Sequence, residues 1–381
     1  MNIIDIPESW GLRRTPSTPI DPEGLWHGLP YESYYDYTTL FVDAIDIGEG
    51  RVLLVGPPLY DIEKEVSFYS GSTKLSHSFH RLDRTLLTLV TGYTSGNITL
   101  KNSKGDIDIV VETVSSEFDG LHVVTTTQKN EPLCWTREWI EYYYRAHGVR
   151  GFVFYNNNCT EYSSEEMLSY LSGIADDIII KIEESNIPYG PPSPRWDNNF
   201  CQHINFEHFK YKYAWCARSA INQDIDEVLV FGEGITLDGV TDYLTNAKQS
   251  GIVMESRFID PYSFKEGKSA NELPREDIHF IDFLHWWIDP EAPKRDWSGG
   301  KWIAIPQHSM EVQWTTHNLI GAPRTPCREG KAYYCHYNAF KSALKNISTV
   351  QRARTKDVSK APLEELTHDP ILERNLRRAF S

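Results

Sequence analysis

The chain has 381 residues, 38 Lys and Arg against 53 Asp and Glu for a net charge of −15, and a hydrophobic share of 40%. At roughly 100–200 residues per domain, that length suggests two domains or one large domain with an appendage. The acidic balance argues against nucleic acid as a partner, because phosphate neutralisation needs clustered Lys and Arg. No run approaches the ~20 apolar residues of a membrane-spanning helix, and MNIIDIPESW has acids and a proline where a signal peptide needs a basic and then an apolar stretch. The expected compartment is therefore the cytoplasm. Cys134, Cys159, Cys201, Cys216, Cys327 and Cys335 form no close pair of the structural-zinc kind and read as reduced packing residues.

From about residue 38 to 125 the chain runs as short β-branched segments broken by turns: TTLFVDAI, RVLLVG, TLLTLVTG, NITLK and DIDIVVETV. Their spacing predicts an antiparallel β-rich, sandwich-like domain over residues 1–118. After Leu121 strands alternate with helical stretches, the pattern of an α/β domain with a largely parallel sheet. LHVVTTT predicts a strand. TREWIEYYYRAHG predicts a helix with Thr136 as N-cap and Gly148 as its stop, and GFVFYNNN a second strand. SSEEMLSYLSGI opens like a helix, and DIIIKIEE supplies a third strand. PYGPPSPRWDNN, over residues 188–199, reads as a loop placed to cover a site, followed by a helix around residues 206–219.

QDIDEVLVF then sets Asp224, Asp226 and Glu227 at the start of an apolar strand. On extended backbone Asp224 and Asp226 point to the same side and can share one divalent cation, since hard ions such as Mg²⁺ and Mn²⁺ take carboxylate oxygens and leave positions for substrate phosphates. The competing reading is a solvated acidic turn. Acids set beside a core favour the metal, because burial without a partner is costly.

WTREWIEYYYRAHGVRGFVFYNNNCT, with Lys129-Asn130-Glu131 before it, resembles the family 92 glycosyltransferases and related family 2-like enzymes. QDIDEVLVF is similar to that family's strand with Asp-x-Asp-Glu, KWIAIPQHSMEVQWTTHNL to its Lys-x-Ile-x-x-Pro segment with a following His, and YYCHYNAFKSALK to its closing His-Tyr element. The four segments occur in order over residues 121–346. Two departures stand out: Tyr143 stands where His is common, and Val228 where Phe is usual.

The resemblance implies a GT-A nucleotide-sugar transferase fold over residues 119–350, followed by a charged helical tail over 351–381. The donor would lie across the C-terminal strand ends, as in open α/β sheets generally. On that basis Thr125, Thr127, Lys129, Asn130 and Glu131 approach the nucleotide, and Asn156, Asn157 and Asn158 the base or ribose, unless the Asn run is only a turn. Asp226 leads the metal ligands, Asp224 binds metal or ribose, and Glu227 supports them. His317 or His336 completes the ion's shell, the sequence leaving that choice open, with Lys341 and Lys345 available for phosphate. The implied reaction is metal-dependent and inverting, from a nucleotide sugar, a UDP-sugar first among candidates, to a glycan or glycolipid hydroxyl, in the cytoplasm or on a membrane carrying the acceptor. Glu255 and Asp260 are the candidate bases, each also readable as an ion-pair partner of Arg257. Trp286, Trp287, Trp297, Trp302 and Trp314 fall where an acceptor should lie, but read mostly as core. Two other classes remain: a metal-dependent phosphoesterase using the same acids, and a non-catalytic carbohydrate-binding protein.

Overall fold

A computed structural model of the chain describes residues 1–15, 25–26, 29–30, 35–190, 200–287, 300–322, 332–340 and 362–381. Lys341, Lys345, Trp297, residues 191–199 of the proline-rich loop and residues 351–361 of the expected tail lie outside the described residues.

The chain divides into two compact units. The first comprises Met1–Glu117 together with Glu184–Trp215 and Gln313–Thr316. Its main sheet runs Glu112–Thr113, Asp43–Gly48, Arg51–Gly56, Leu86–Thr91 and Ser76–Arg81, antiparallel except for the first pair. A second antiparallel sheet holds Gly105–Ile109, Ile98–Asn102, Ser67–Ser70 and Thr73–Lys74. Alternation along the strands sends Leu54, Phe68, Val90 and Leu100 to one core, and Val42, Leu53, Val55 and Leu87 to another that includes Ile204 of the helix Phe200–Lys212. The sequence reading placed that helix at residues 206–219 within the α/β domain. It ends earlier and packs on the β-rich unit, because its face carries groups the strands can pair: His208 meets Asp43 at 2.9 Å, and Lys212 pairs with Glu112.

The second unit holds Phe118–Glu183, Cys216–Val312 and His317–Ser381. Its elements are β1 (His122–Gln128), α1 (Leu133–His147), β2 (Gly151–Asn156), α2 (Ser164–Leu171), β3 (Ile179–Glu184), β4 (Ser219–Asn222), β5 (Glu227–Phe231), α3 (Leu237–Asn246), β6 (Gly251–Met254), β7 (Ser256–Ile259), β8 (His285–Trp286), β9 (Lys301–Ala304), β10 (Ala332–Tyr337), β11 (Thr367–His368) and α4 (Pro370–Phe380). The six-stranded sheet has the order β3-β2-β1-β4-β9-β6. In it β1 runs parallel to β2 and β4, and β9 lies antiparallel between β4 and β6. Every residue of β1 and β2 is buried, as expected of central parallel strands.

α1 begins at Leu133, a turn before the expected Thr136 cap, because Pro132 presets the entry and its carbonyl accepts from both the Trp135 and Thr136 N–H groups. Gly148 stops it in the left-handed conformation, φ 70°. α2 starts at a capping box of Ser163 and Glu166.

A second sheet, in the order β5-β10-β7-β8-β11, packs its strands into the same core. The expected charged tail forms, over Pro370–Phe380, an amphipathic helix. α4 buries Leu372, Leu376 and Ala379 against that core and is capped by Asp369, which also takes hydrogen bonds from Tyr333 and Arg257.

Candidate functional site

Both sheets contribute to one cluster. β4 ends at Asn222, and the chain turns through Asp224, Ile225 and Asp226 into β5, which starts at Glu227. The turn is closed twice, by the Glu227 N–H on the Asp224 carbonyl (3.0 Å) and by the Asp224 N–H on Glu227 Oε2 (2.9 Å). The sequence expectation that strand alternation aligns Asp224 and Asp226 is therefore corrected. The two acids sit in a turn, and its fold brings Asp224, Asp226 and Glu227 within 4.8 Å of one another, a set able to hold a metal ion.

The start of β5 is fixed from behind by the aromatic face of α1. The Trp139 indole donates to the Glu227 carbonyl at 3.0 Å, the Tyr142 hydroxyl to the Leu229 carbonyl at 2.6 Å, and the Leu229 N–H donates to the Tyr143 hydroxyl at 2.9 Å. Among the described residues no strand pairs with this edge of β5, and these side chains satisfy it, as a buried backbone requires. Tyr143, where the resembling family commonly has His, thus belongs to this brace.

Two further groups meet the acids. Lys301 opens β9 at 1% exposure and places its ammonium 2.7 Å from Asp224 and 3.1 Å from Glu227. Burial alone would depress that ammonium's pKa, but the two carboxylates outweigh it and hold it above the ordinary lysine value. His336 on β10 puts Nε2 3.4 Å from Asp226 and Nδ1 3.3 Å from Glu227. Against the opposing effect of burial, those carboxylates raise its pKa. Burial raises Asp226 to about 6, opposed chiefly by His336, whereas Lys301 and His336 overcome burial at Glu227 and pull it to about 2. Glu227 is thus the ionised hub of the cluster, and Asp226 the carboxylate short of positive charge. Three carboxylates face one buried ammonium and an imidazole whose raised pKa favours its charged form, so negative charge remains in excess, which a divalent cation would offset. An all-oxygen set with a neighbouring imidazole suits such an ion.

Asp224, Ile225 and Asp226 line a small cleft with Thr127 at the end of β1, Glu131, Trp135 and Phe340. The fold therefore brings Thr127, Glu131, Asp224 and Asp226 together. Thr125 is fully buried one turn of pleat earlier, its carbonyl accepting the Gln223 N–H, so it positions the acidic turn from below. Lys129 is half-buried in the loop after β1.

Asn130 and Asn156 are both engaged by neighbouring protein groups. Asn130 adopts a left-handed backbone (φ 54°), and its side-chain oxygen accepts from the Thr160 N–H at 2.8 Å and from Cys159 Sγ at 3.0 Å. Asn156, 1% exposed, accepts from Gln128 at 2.5 Å and donates to Ser164 at 3.1 Å. Asn130 ties the loop after β1 to the loop after β2, and Asn156 ties the end of β1 to the start of α2. Asn157 is buried with its N–H on the Gln128 carbonyl, and Asn158 takes a left-handed backbone at the bend.

Of the two histidines left open, the fold brings His336 to the carboxylates. His317 Nδ1 lies 3.2 Å from the Gly300 carbonyl, and burial, then the charge of Lys301, lowers its pKa. Neither candidate base pairs with Arg257, whose partner is Asp369 at 2.7 Å. Glu255 is exposed and follows Met254, the register partner of Lys301. Asp260 is buried, with Oδ1 on the Tyr262 N–H at 3.0 Å. Trp302 and Trp314 are core, and Trp286 lies half-buried under the Arg257 guanidinium. Lys301 escaped the sequence reading as a site residue. Its signal was a lone cation heading an otherwise apolar strand, KWIAI.

A mixed α/β unit whose central strands end at an acidic turn beside a cleft is the arrangement of a glycosyltransferase with a GT-A-like fold. The chain belongs to glycosyltransferase family 92, whose model matches residues 131–375. That span includes α1, the acidic turn, Lys301, His336 and most of α4. No curated protein matches the sequence. Among solved structures, the bifunctional glycosyltransferase WbbM is similar at 10% identity over 53% of this chain and 37% of that one, TM-score 0.28. An active-site mutant of LgtC is similar at 11% identity over 68% and 95%, TM-score 0.27. LgtC, a galactosyltransferase, in complex with donor and acceptor sugar analogues, is similar at 12% identity over the same shares, TM-score 0.27. The chain thus spans little over a third of WbbM. Among the described residues no helix is long and apolar enough to cross a membrane.

Proposed function

We propose that this glycosyltransferase moves a sugar from a nucleotide sugar, a UDP-sugar first among candidates, to a glycan or glycolipid hydroxyl with inversion, using Mn²⁺ or Mg²⁺, in polysaccharide or surface-glycan synthesis. The observation that carries the reading is the convergence of Asp224, Asp226, Glu227 and His336 beside the cleft lined by Thr127 and Glu131. Asp226 and His336 lead in holding the ion, with Asp224 alongside. A bound divalent cation supplies neutralisation of the diphosphate leaving group. Lys301 and Glu227 keep the turn assembled, and Trp139 and Tyr143 hold the strand that carries it. Single displacement needs a carboxylate to accept the hydroxyl proton. Glu255 is proposed for that role over Asp260, being exposed and next to the register partner of Lys301, whereas an Asp260 oxygen is engaged by Tyr262. The place of action proposed is the cytoplasm or the face of a membrane bearing the acceptor.

The test is nucleotide-sugar turnover by purified protein across a donor panel with and without Mn²⁺. One donor should turn over only with metal, and Asp226→Ala should lower the rate by about two orders of magnitude or more while the melting transition stays cooperative. Full activity in that variant would sink the proposal.

A further inference from the structure

We infer that Phe258 is the stacking platform for the acceptor sugar, extending the transferase reading above on which it rests. The second sheet carries the argument. In its register Glu227 on β5 faces His336 on β10, and His336 faces Phe258 on β7. Residues directly opposite across neighbouring strands project to the same face, so an acid, an imidazole and an aromatic ring form one transverse row. The contacts agree: His336 touches Glu227 at 3.3 Å, and the Phe258 ring centroid lies 5.3 Å from that of His336 at 41°.

Alternation along β7 supports this assignment. Arg257, the neighbour on the opposite face, lies over Tyr333 and Trp286 and pairs with Asp369 in the interior. Phe258, by contrast, is 54% exposed. A single exposed phenylalanine is ordinary on a protein surface. This one is set apart by its position at the open end of a row whose other members belong to the acidic site.

The chemistry of the occupant follows from the ring. One side of Phe258 packs on His336, and the exposed part offers a flat apolar surface beside charged groups. A pyranose presents an apolar C–H face and polar edges, which suits a ring with an imidazole beside it and a carboxylate one strand further along the row. The donor's diphosphate belongs with Asp224, Asp226 and the Thr127–Glu131 cleft, leaving Phe258, at the far end of the row from Glu227, for the sugar that attacks. Its edge hydroxyls would then face the site while its C–H face stacks. The ring supplies position only; no proton or bond change occurs on it. Phe258 is thus a positioning and specificity residue for a pyranose acceptor.

The experiment compares wild type, Phe258→Ala and Phe258→Tyr using the donor that the wild type turns over. Three quantities are read: donor hydrolysis to water, the KM for transfer to a panel of p-nitrophenyl hexopyranosides, and the melting shift given by UDP with Mn²⁺. Loss of the platform should raise the acceptor KM about tenfold in Phe258→Ala, with hydrolysis and the UDP shift within twofold of wild type and Phe258→Tyr close to wild type. An unchanged acceptor KM in Phe258→Ala, an equal fall in hydrolysis, or wild-type hydrolysis without transfer to any glycoside would each overturn the platform while leaving the transferase reading in place. Absence of any nucleotide-sugar turnover by the wild type would instead overturn the transferase reading itself.

Discussion

Lys301→Met removes one charge and nearly preserves volume, which makes it a sharp test of how the acidic turn is held. Lys301 and Glu227 are 1% and 2% exposed, and their charges lie 3.1 Å apart. Deleting one partner of a buried pair costs about 3–5 kcal/mol, because the remaining charge keeps its desolvation penalty. Asp224, the second partner, is 27% exposed and partly solvated, and His336 still touches Glu227, so the lower end applies, about 3 kcal/mol. At about 2–4 °C per kcal/mol for large domains, the α/β unit should melt about 6–12 °C lower in EDTA. A divalent cation would meet a net charge one unit more negative in the variant. At 100 times its Kd, ligand binding returns about 2.7 kcal/mol, so Mn²⁺ should recover most of the loss and shift the variant's transition more than the wild type's. Differential scanning calorimetry with and without Mn²⁺ measures both. A loss below 2 °C, or a metal shift smaller than in wild type, would refute the picture of Lys301 as a built-in counter-cation.

Two further outcomes are expected. Tyr143→Phe keeps the ring but strips the hydroxyl that accepts the buried Leu229 N–H, so denaturant unfolding should show a loss of about 1–3 kcal/mol, and an unchanged midpoint would remove the α1 brace from the account. In the β-rich unit, burial would raise Asp43, but its hydrogen bond and charge interaction with His208, with Lys212 beside them, hold it below 3.8. A carboxylate depressed on folding adds stability that is fully present above its unfolded pKa, near 4, and is lost as pH falls toward the folded value. Acid unfolding should therefore steepen below about pH 4, and Asp43→Asn should flatten that limb; parallel acid limbs would contradict this.

Much of the α/β unit is legible in the sequence because its signals are local. Gly148 ends α1 in a conformation that glycine adopts at little cost, Ser163 and Glu166 form a capping box within one turn, and the all-buried β1 and β2 appear as continuous apolar and hydroxyl runs. Asp224, Asp226 and a histidine partner stand out as residue types able to hold a cation. For the Asn run and Asn130 the limit is of the same kind: composition shows that amides are present, but not which protein groups their hydrogen bonds reach. For Asn130 they go to the loop after β2, and for Asn156 to Gln128 at the end of β1 and Ser164 at the start of α2.

What the linear order determined by itself was which segments become strands and helices and which residue types could carry the chemistry. What only the tertiary structure decided was their convergence. Asp224 and Asp226 align through a turn closed by Glu227, Lys301 reaches them from β9, and His336 was selected over His317 by the β5–β10 register. Phe258 joined the same row through β7. The physical reason is that local pattern reports the backbone preference of a few neighbouring residues, whereas a charge cluster is balanced across strands distant in sequence. That balance depends on pairing register and burial, both of which arise only when the two sheets have formed.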